Sequence, residues 1–381
     1  MKSIPNAHCC FDDVYDVLFH LLAVGLNQIE LDVSRIDGLQ QQDWERLFTL
    51  SSFHEVAALV SETLLANEEI NIPIDVRLKF IGLQDIAEQS YNHQLNVLDD
   101  LLELFDSYDI PTMIIKGFSL AQYYPAPSHR KCGDIDIYQF GHQSQSDQLI
   151  SQKYGLEIRN NIVGHHTNYQ YREVSIENHY QFITTYFGRQ SFEIESLMEI
   201  EADNSVQAKL GHYKILFPSP NLNAFFLPYH MSVHFRPDKV TFRQIIDWMM
   251  FLESEYDKVD WQKLQNYYKT YHLVDFVNAI NGILIHYLGM PVKYASNYFR
   301  NELLEKRILY DMLKSSQDNQ IDGVISNIKH KWDKYIRHGW KFHIFGRSAI
   351  LELFKKVLAV LKHDNEEYVL FKSSSAKIEL L

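Results

Sequence analysis

Apolar residues recur at helical spacing along most of this chain and change to strict alternation in one central stretch only. Residues 11 to 26 carry the pattern of an amphipathic helix. Asp43-Trp44-Glu45 opens a second helix that runs to about Thr49, and Ser52 to Leu65 predicts a third, with Val56, Leu59, Val60 and Leu64 at helical spacing. The strongest helical signal covers residues 75 to 107. There Leu95, Val97, Leu98, Leu101, Leu102 and Phe105 form a wide apolar stripe, whose meaning is core packing. The run from Pro111 to Ile115 then reads as a short buried strand.

Between 111 and about 200 both periods occur within one unit, which argues an α+β or mixed α/β arrangement. Lys116-Gly117 ends the first strand and Phe118 to Tyr124 starts a helix. Ser144 to Lys153 predicts another. Gly155 to Ile158, Thr167 to Arg172, Val174 to Phe182 and Ser191 to Glu195 are short strand candidates. From Asn221 helix dominates again. Leu222 to His234 is a helix that Pro228 is expected to kink or restart. Phe242 to Glu253, Trp261 to Thr270, Leu273 to Leu288, Tyr294 to Leu313 and Ile350 to His363 follow. Residues 315 to 323 are the most linker-like stretch, and Ser373-Ser-Ser marks a C-terminal tail. No internal repeat is visible.

Chemistry concentrates in residues 114 to 138. Asp134 and Asp136 lie two apart on a strand-like run, so their side chains face the same way while Ile135 and Ile137 point into a core. Adjacent carboxylates repel unless a cation lies between them. Mg²⁺ takes such oxygen ligands and keeps substrate phosphates in its shell. Fifteen residues before Asp134 stands Ser119, just after Gly117, where a glycine turn opening a helix suits a phosphate. Lys116 adds a positive charge and Ser119 a hydroxyl. Arg130 is suited to a triphosphate as a planar fork. Taken singly, each piece has a plain structural reading: solvated aspartates, a strand–turn–helix corner, a local salt bridge.

The run Ile115-Lys-Gly-x-x-Leu-Ala-x-Tyr-Tyr-Pro-x-Pro-x-x-Arg-x-x-Gly-Asp-Ile-Asp-Ile137 resembles the uncharacterised nucleotidyltransferase family of the DNA polymerase β superfamily. The likeness is close over about 25 residues and loose over about 40 to 255. It implies a polymerase β-like core with a small mixed sheet, flanked by helical regions. The expected divisions are an N-terminal helical region (1–75), a nucleotidyltransferase core (76–200), a C-terminal helical region (201–365) and a tail (366–381). The resemblance also implies Mg²⁺- or Mn²⁺-dependent transfer of a nucleoside monophosphate from an NTP, with release of pyrophosphate. Lys116, Gly117, Ser119 and Arg130 would hold the nucleotide, and Asp134 and Asp136 the metal.

The superfamily pattern asks for a third acid on a neighbouring strand. Val174 to Tyr180 alternates so that Ser175, Glu177 and His179 share one face, and Glu177-Asn-His179-Tyr180 resembles the expected motif. Glu177 is therefore the third catalytic and metal-binding carboxylate, as proton acceptor or ligand. Glu193 and Glu195 remain the alternative pair. A non-catalytic nucleotide-binding scaffold, or a toxin-like transferase acting on a protein or tRNA, stays open as a rival function.

Other constellations add less. His230 and His234 are four apart, but Met231 stands where a zinc protease needs Glu. His165-His166 reads as a turn pair within reach of the site. Arg243 and Asp247 are spaced to pair along one helix. Walker, G-x-S-x-G and G-x-G-x-x-G motifs are absent.

The 381 residues are 46% hydrophobic, enough for a substantial core, and carry a formal charge of −13. That balance disfavours bulk nucleic acid as a partner and leans the acceptor toward a small molecule, sugar or protein. Cys9, Cys10 and Cys132 form no metal-binding spacing, and the odd count suggests free thiols in a reducing compartment. No signal peptide or run of 18 apolar residues occurs, so a soluble cytoplasmic protein is expected.

Overall fold

A computed structural model describes residues 13–160, 164–185, 189–210, 213–313, 338–362 and 368–371. Cys9, Cys10, the linker-like stretch 315–323 and the serine run at 373 lie outside them. The chain divides into two compact units. The first comprises residues 1–91, 120–131 and 227–328, and the second 92–119, 132–226 and 329–381.

The first unit is helical. Among its elements are α1 (Asp13–Gly25), α2 (Gln41–Phe53), α3 (Ala57–Ala66) and the first half of α4 (Ile74–Asp106). Asp13 and Asp16 in the first turn of α1 complement its dipole, while Val14, Leu18, Leu21 and Leu22 bury one face. α1 packs on α3. The predicted helix at 52–65 is split, because Glu55 takes a left-handed turn (φ 61°) between α2 and α3.

In the second unit the chain enters β1 (Met113–Ile114), one turn of helix α5 (Phe118–Ala121), and β2 (Ile135–Tyr138). Then come α6 (Gln143–Tyr154), β3 (Ile158–Asn160), β4 (His166–Tyr171) and β5 (Val174–His179). Gly155 ends α6 in the left-handed conformation (φ 70°), its N–H donating to the Ser151 carbonyl. α7 (Arg189–Ala202) precedes the hairpin β6 (Val206–Leu210) and β7 (Tyr213–Phe217). The helix α8 (Pro220–Phe235) crosses from the second unit into the first and runs through Pro228.

The first unit resumes with α9 (Phe242–Glu255), α10 (Trp261–Thr270), α11 (Val274–Tyr287) and α12 (Glu302–Leu313). A reciprocal capping box between Thr241 and Gln244 starts α9. α13 (Gly339–Ile344), α14 (Ala349–Lys362) and β8 (Tyr368–Phe371) complete the second unit.

The fold is α+β, with a mixed sheet ordered β6-β7-β1-β2-β5-β4-β3-β8. β1 runs antiparallel to β2 and parallel to β7, and β2 runs parallel to β5. Both faces of the centre are used. One face packs on α6 through a buried polar network, in which Asp147 accepts from Thr167 (2.7 Å) and Asn178 (2.9 Å). The other face carries the candidate site.

Three further expectations change. Residues 191–195 belong to helix α7, since Ile194 and Met198 are buried at helical spacing. β6 and β7 occupy a stretch where no strand was predicted. Their faces are mostly exposed, so alternation is weak. The helix predicted from Tyr294 begins at Glu302.

α7 also disposes of one carboxylate pair. Glu193 is exposed and ion-paired to Arg189. Glu195 is buried and spends both oxygens on the backbone N–H groups of Phe182 and Ile183, each 2.9 Å away. Burial is the larger influence and raises its carboxyl from 4.5 to about 7. The native state therefore binds this proton more tightly than the unfolded chain. Stability from this group is full below about pH 4.5 and falls as pH rises through about 7, by about 3 kcal/mol. Urea midpoints of wild type and Glu195→Gln between pH 5 and 7.5 should show a shallower downward slope in the variant. Parallel slopes would exclude Glu195 as the source.

No helix among the described residues is long and apolar enough to cross a membrane.

Candidate active site

The central strands bring the acidic residues together by register. β2 and β5 are parallel neighbours, with Asp136 opposite Glu177 and Ile135 opposite Ile176. Alternation turns Asp136, Glu177 and His179 to one face and leaves Ile135, Ile137 and Ile176 buried behind them. β4 lies antiparallel to β5 and places His166 opposite His179. One donor atom each from Asp136, Glu177 and His179 lies within 4.8 Å of the others.

Asp136 is the anchor. It is 6% exposed, and its Oδ1 meets Lys116 Nζ at 2.6 Å and His179 Nε2 at 3.0 Å. Burial pushes its carboxyl up, but the Lys116 ammonium and the His179 hydrogen bond outweigh burial and hold it well below the usual range. Burial likewise opposes charge on His179, yet its hydrogen bond to Asp136 and the nearby Glu177 carboxylate leave its imidazole above the ordinary value. Asp134, just before the strand, is exposed. Partial burial, followed by the negative charge of Glu177, raises its carboxyl, and a hydrogen bond from Ser175 opposes the rise.

The turn at Lys116-Gly117 is built against the same strand. Ile115 N–H donates to the Asp136 carbonyl (3.1 Å), and Gly117 follows with φ 57°. Only glycine takes that conformation without strain. A Cβ there would meet the Asp134 carbonyl at 3.6 Å, an ordinary contact, so backbone conformation rather than crowding requires the glycine.

The structure thus gathers Asp134, Asp136, Glu177, Lys116 and Gly117. Ser119 is fully buried, and its hydroxyl turns back to the Lys116 carbonyl at 3.3 Å. The helix it opens is a single turn. Arg130 belongs to the helical unit and is 3% exposed. Its fork closes on Asp247, Nε to Oδ1 at 2.7 Å and Nη2 to Oδ2 at 2.8 Å. Tyr124 donates to the same carboxylate at 2.7 Å, and Arg243 approaches it at 3.5 Å while bonding Glu55 at 2.8 Å. The basic residue expected at the phosphates is thus committed to a buried ion pair.

Sequence reasoning gave none of the histidines a role in the site, although it set His179 on the Glu177 face and His165-His166 within reach. His179 was visible as the next residue on the Glu177 face. His166 needed the β4–β5 register, which no local pattern supplies. His230 and His234 face each other, Nε2 to Nε2 at 3.1 Å, and join no metal-binding cluster among the described residues.

Two carboxylates and an imidazole at such close quarters fit a divalent cation, since mutual repulsion is relieved by a positive ion and all three atoms are donors. The sequence model of a family described as an uncharacterised nucleotidyltransferase matches residues 40–289, well over half of the chain. The chain belongs to this nucleotidyltransferase family. The matched span contains every residue of the acidic face and the glycine turn. Among solved structures, an antigenic nucleotidyltransferase-like protein from Paracoccidioides brasiliensis is similar over 42% of this chain and 75% of its own, at 15% identity and a TM-score of 0.30. No curated protein matches the chain.

Proposed function

We propose that the protein moves a nucleoside monophosphate from an NTP to a hydroxyl acceptor and releases pyrophosphate. The observation that carries this reading is the in-register pairing of Asp136 with Glu177 beside the Lys116-Gly117 turn. The acceptor oxygen would form a bond to the α-phosphorus as the bond to the bridging oxygen of pyrophosphate breaks. A divalent ion such as Mg²⁺ or Mn²⁺, held by Asp134, Asp136 and Glu177, would neutralise charge building on the phosphate oxygens. Glu177 is half-buried and suited to take the acceptor proton. The Gly117 turn offers a close backbone approach for the triphosphate, and Lys116 offers charge. Ser119 hydrogen-bonds back to Lys116 and Arg130 pairs with Asp247, so this reading gives neither a phosphate contact. The net charge of −13 favours a small-molecule, sugar or protein acceptor.

Incubation of cell lysate with purified protein, Mg²⁺ or Mn²⁺ and each α-³²P-labelled NTP tests the reading. Label transferred by wild type and not by Asp134→Asn is the expected result, and the size of the labelled species gives the acceptor class. Metal-dependent NTP binding without transfer would replace this reading with a binding module.

A further inference from the structure

His165, His166 and His179 make a cluster that nucleotidyl transfer does not require. Their ring centres form a near-equilateral triangle, 4.9 Å from His165 to His166, 5.0 Å from His166 to His179 and 5.1 Å from His165 to His179. A ring nitrogen from each lies within 4.8 Å of the others. The planes are inclined at 49° to 80°, so the rings converge rather than stack. Three imidazoles bound to one tetrahedral ion at about 2.0–2.1 Å would set their ring centres roughly 5 Å apart.

The surrounding contacts suit ligands too. Glu177 stands 3.6 Å from both His166 Nε2 and His179 Nε2. The distances run to different oxygens, Oε1 toward His166 and Oε2 toward His179; both are too long for a hydrogen bond and place the carboxylate beside both rings. His165 Nδ1 meets the Thr184 hydroxyl at 3.1 Å, and His179 Nδ1 meets the Gln181 carbonyl at 3.3 Å. Both contacts fix the ring through Nδ1, as the partners of metal-bound histidines do, and the 3.0 Å hydrogen bond from His179 Nε2 to Asp136 would give way to the ion. His166 Nδ1 is buried with no hydrogen-bond partner, so hydrogen bonding does not explain why a third imidazole is placed here. The nearby Lys116 charge is matched by Asp136 at 2.6 Å.

We propose that His165, His166 and His179, with Glu177 as fourth donor, bind a first-row transition-metal ion of the Zn²⁺ class without needing nucleotide. Three nitrogens and one oxygen select such an ion over Mg²⁺, which takes oxygen ligands. This site shares Glu177 and His179 with the acidic cluster, but ion binding without nucleotide does not depend on the transfer reading.

Calorimetric titration of EDTA-treated full-length protein with ZnCl₂, and separately with MgCl₂, tests it in the absence of NTP. One equivalent of Zn²⁺ at micromolar or tighter affinity is expected, undisturbed by millimolar Mg²⁺. His165→Gln and His166→Gln should each weaken Zn²⁺ at least tenfold, with circular dichroism confirming the fold, and Asp134→Asn should bind as wild type does. Co²⁺ substituted at the site should give the intense visible bands of tetrahedral coordination. No micromolar Zn²⁺ binding, or equal binding by folded His165→Gln and His166→Gln proteins, overturns the proposal. Transfer of label by wild type with Mg²⁺ alone would leave the activity standing in either case, so the two readings fail separately.

Discussion

Asp136→Asn is expected to lose nucleotidyl transfer by about a thousandfold or more. Charge stabilisation by a bound metal supplies several kcal/mol, and each 1.4 kcal/mol or so is tenfold in rate. Asn keeps the shape of the side chain but surrenders the charge that holds Lys116 at 2.6 Å and His179 at 3.0 Å. The same substitution therefore also lowers the melting temperature, because a buried ammonium contact loses its counter-charge. Asp134→Asn separates the two effects. Asp134 is exposed and outside that ion pair, so its variant should lose comparable activity with a melting temperature near that of wild type. Steady-state label transfer and thermal melts on both variants decide the matter. Substantial activity in a folded Asp134→Asn/Asp136→Asn double variant would falsify the carboxylate assignment.

Arg130→Ala should destabilise the protein by about 3–5 kcal/mol, the usual result of removing one partner from a buried ion pair. Asp247 would retain the Tyr124 hydroxyl at 2.7 Å and a longer approach from Arg243 at 3.5 Å, but no bidentate partner in a nearly buried position. The pairing is fork to carboxylate, a geometry that lysine cannot reproduce, so Arg130→Lys should recover only part of the loss. Replacing both partners by apolar residues, as in Arg130→Met/Asp247→Leu, should restore much of the stability, since neither charge is then left unmatched. Urea unfolding of the three variants provides the measurement. An Arg130→Ala protein with wild-type stability and a raised KM for NTP would return Arg130 to the nucleotide instead.

The sequence by itself determined the elements whose reasons are local. The apolar stripe from Leu95 to Phe105 specifies the second half of α4, and α10 ends where its pattern ends, at Thr270. Alternation about Ile135 and Ile176 specifies the two central strands and the face each acid takes. With the family resemblance, that was enough to nominate Asp134, Asp136, Glu177 and the Lys116-Gly117 turn, whose roles the variants above test. Only the tertiary structure decided which partner each side chain meets. Arg130 reads like a phosphate ligand because it stands four residues from Asp134, yet its partner Asp247 is 117 residues away. Glu195 alternates with Glu193 as strand residues do, but lies on a helix and is consumed by two backbone donors. His166 joins the site through the cross-strand register that sets it opposite His179. Periodicity is a property of neighbours in sequence and reports which way a residue faces. Strand register and ion pairing are properties of distant segments, chosen by the packing of the whole unit, and no local pattern encodes them.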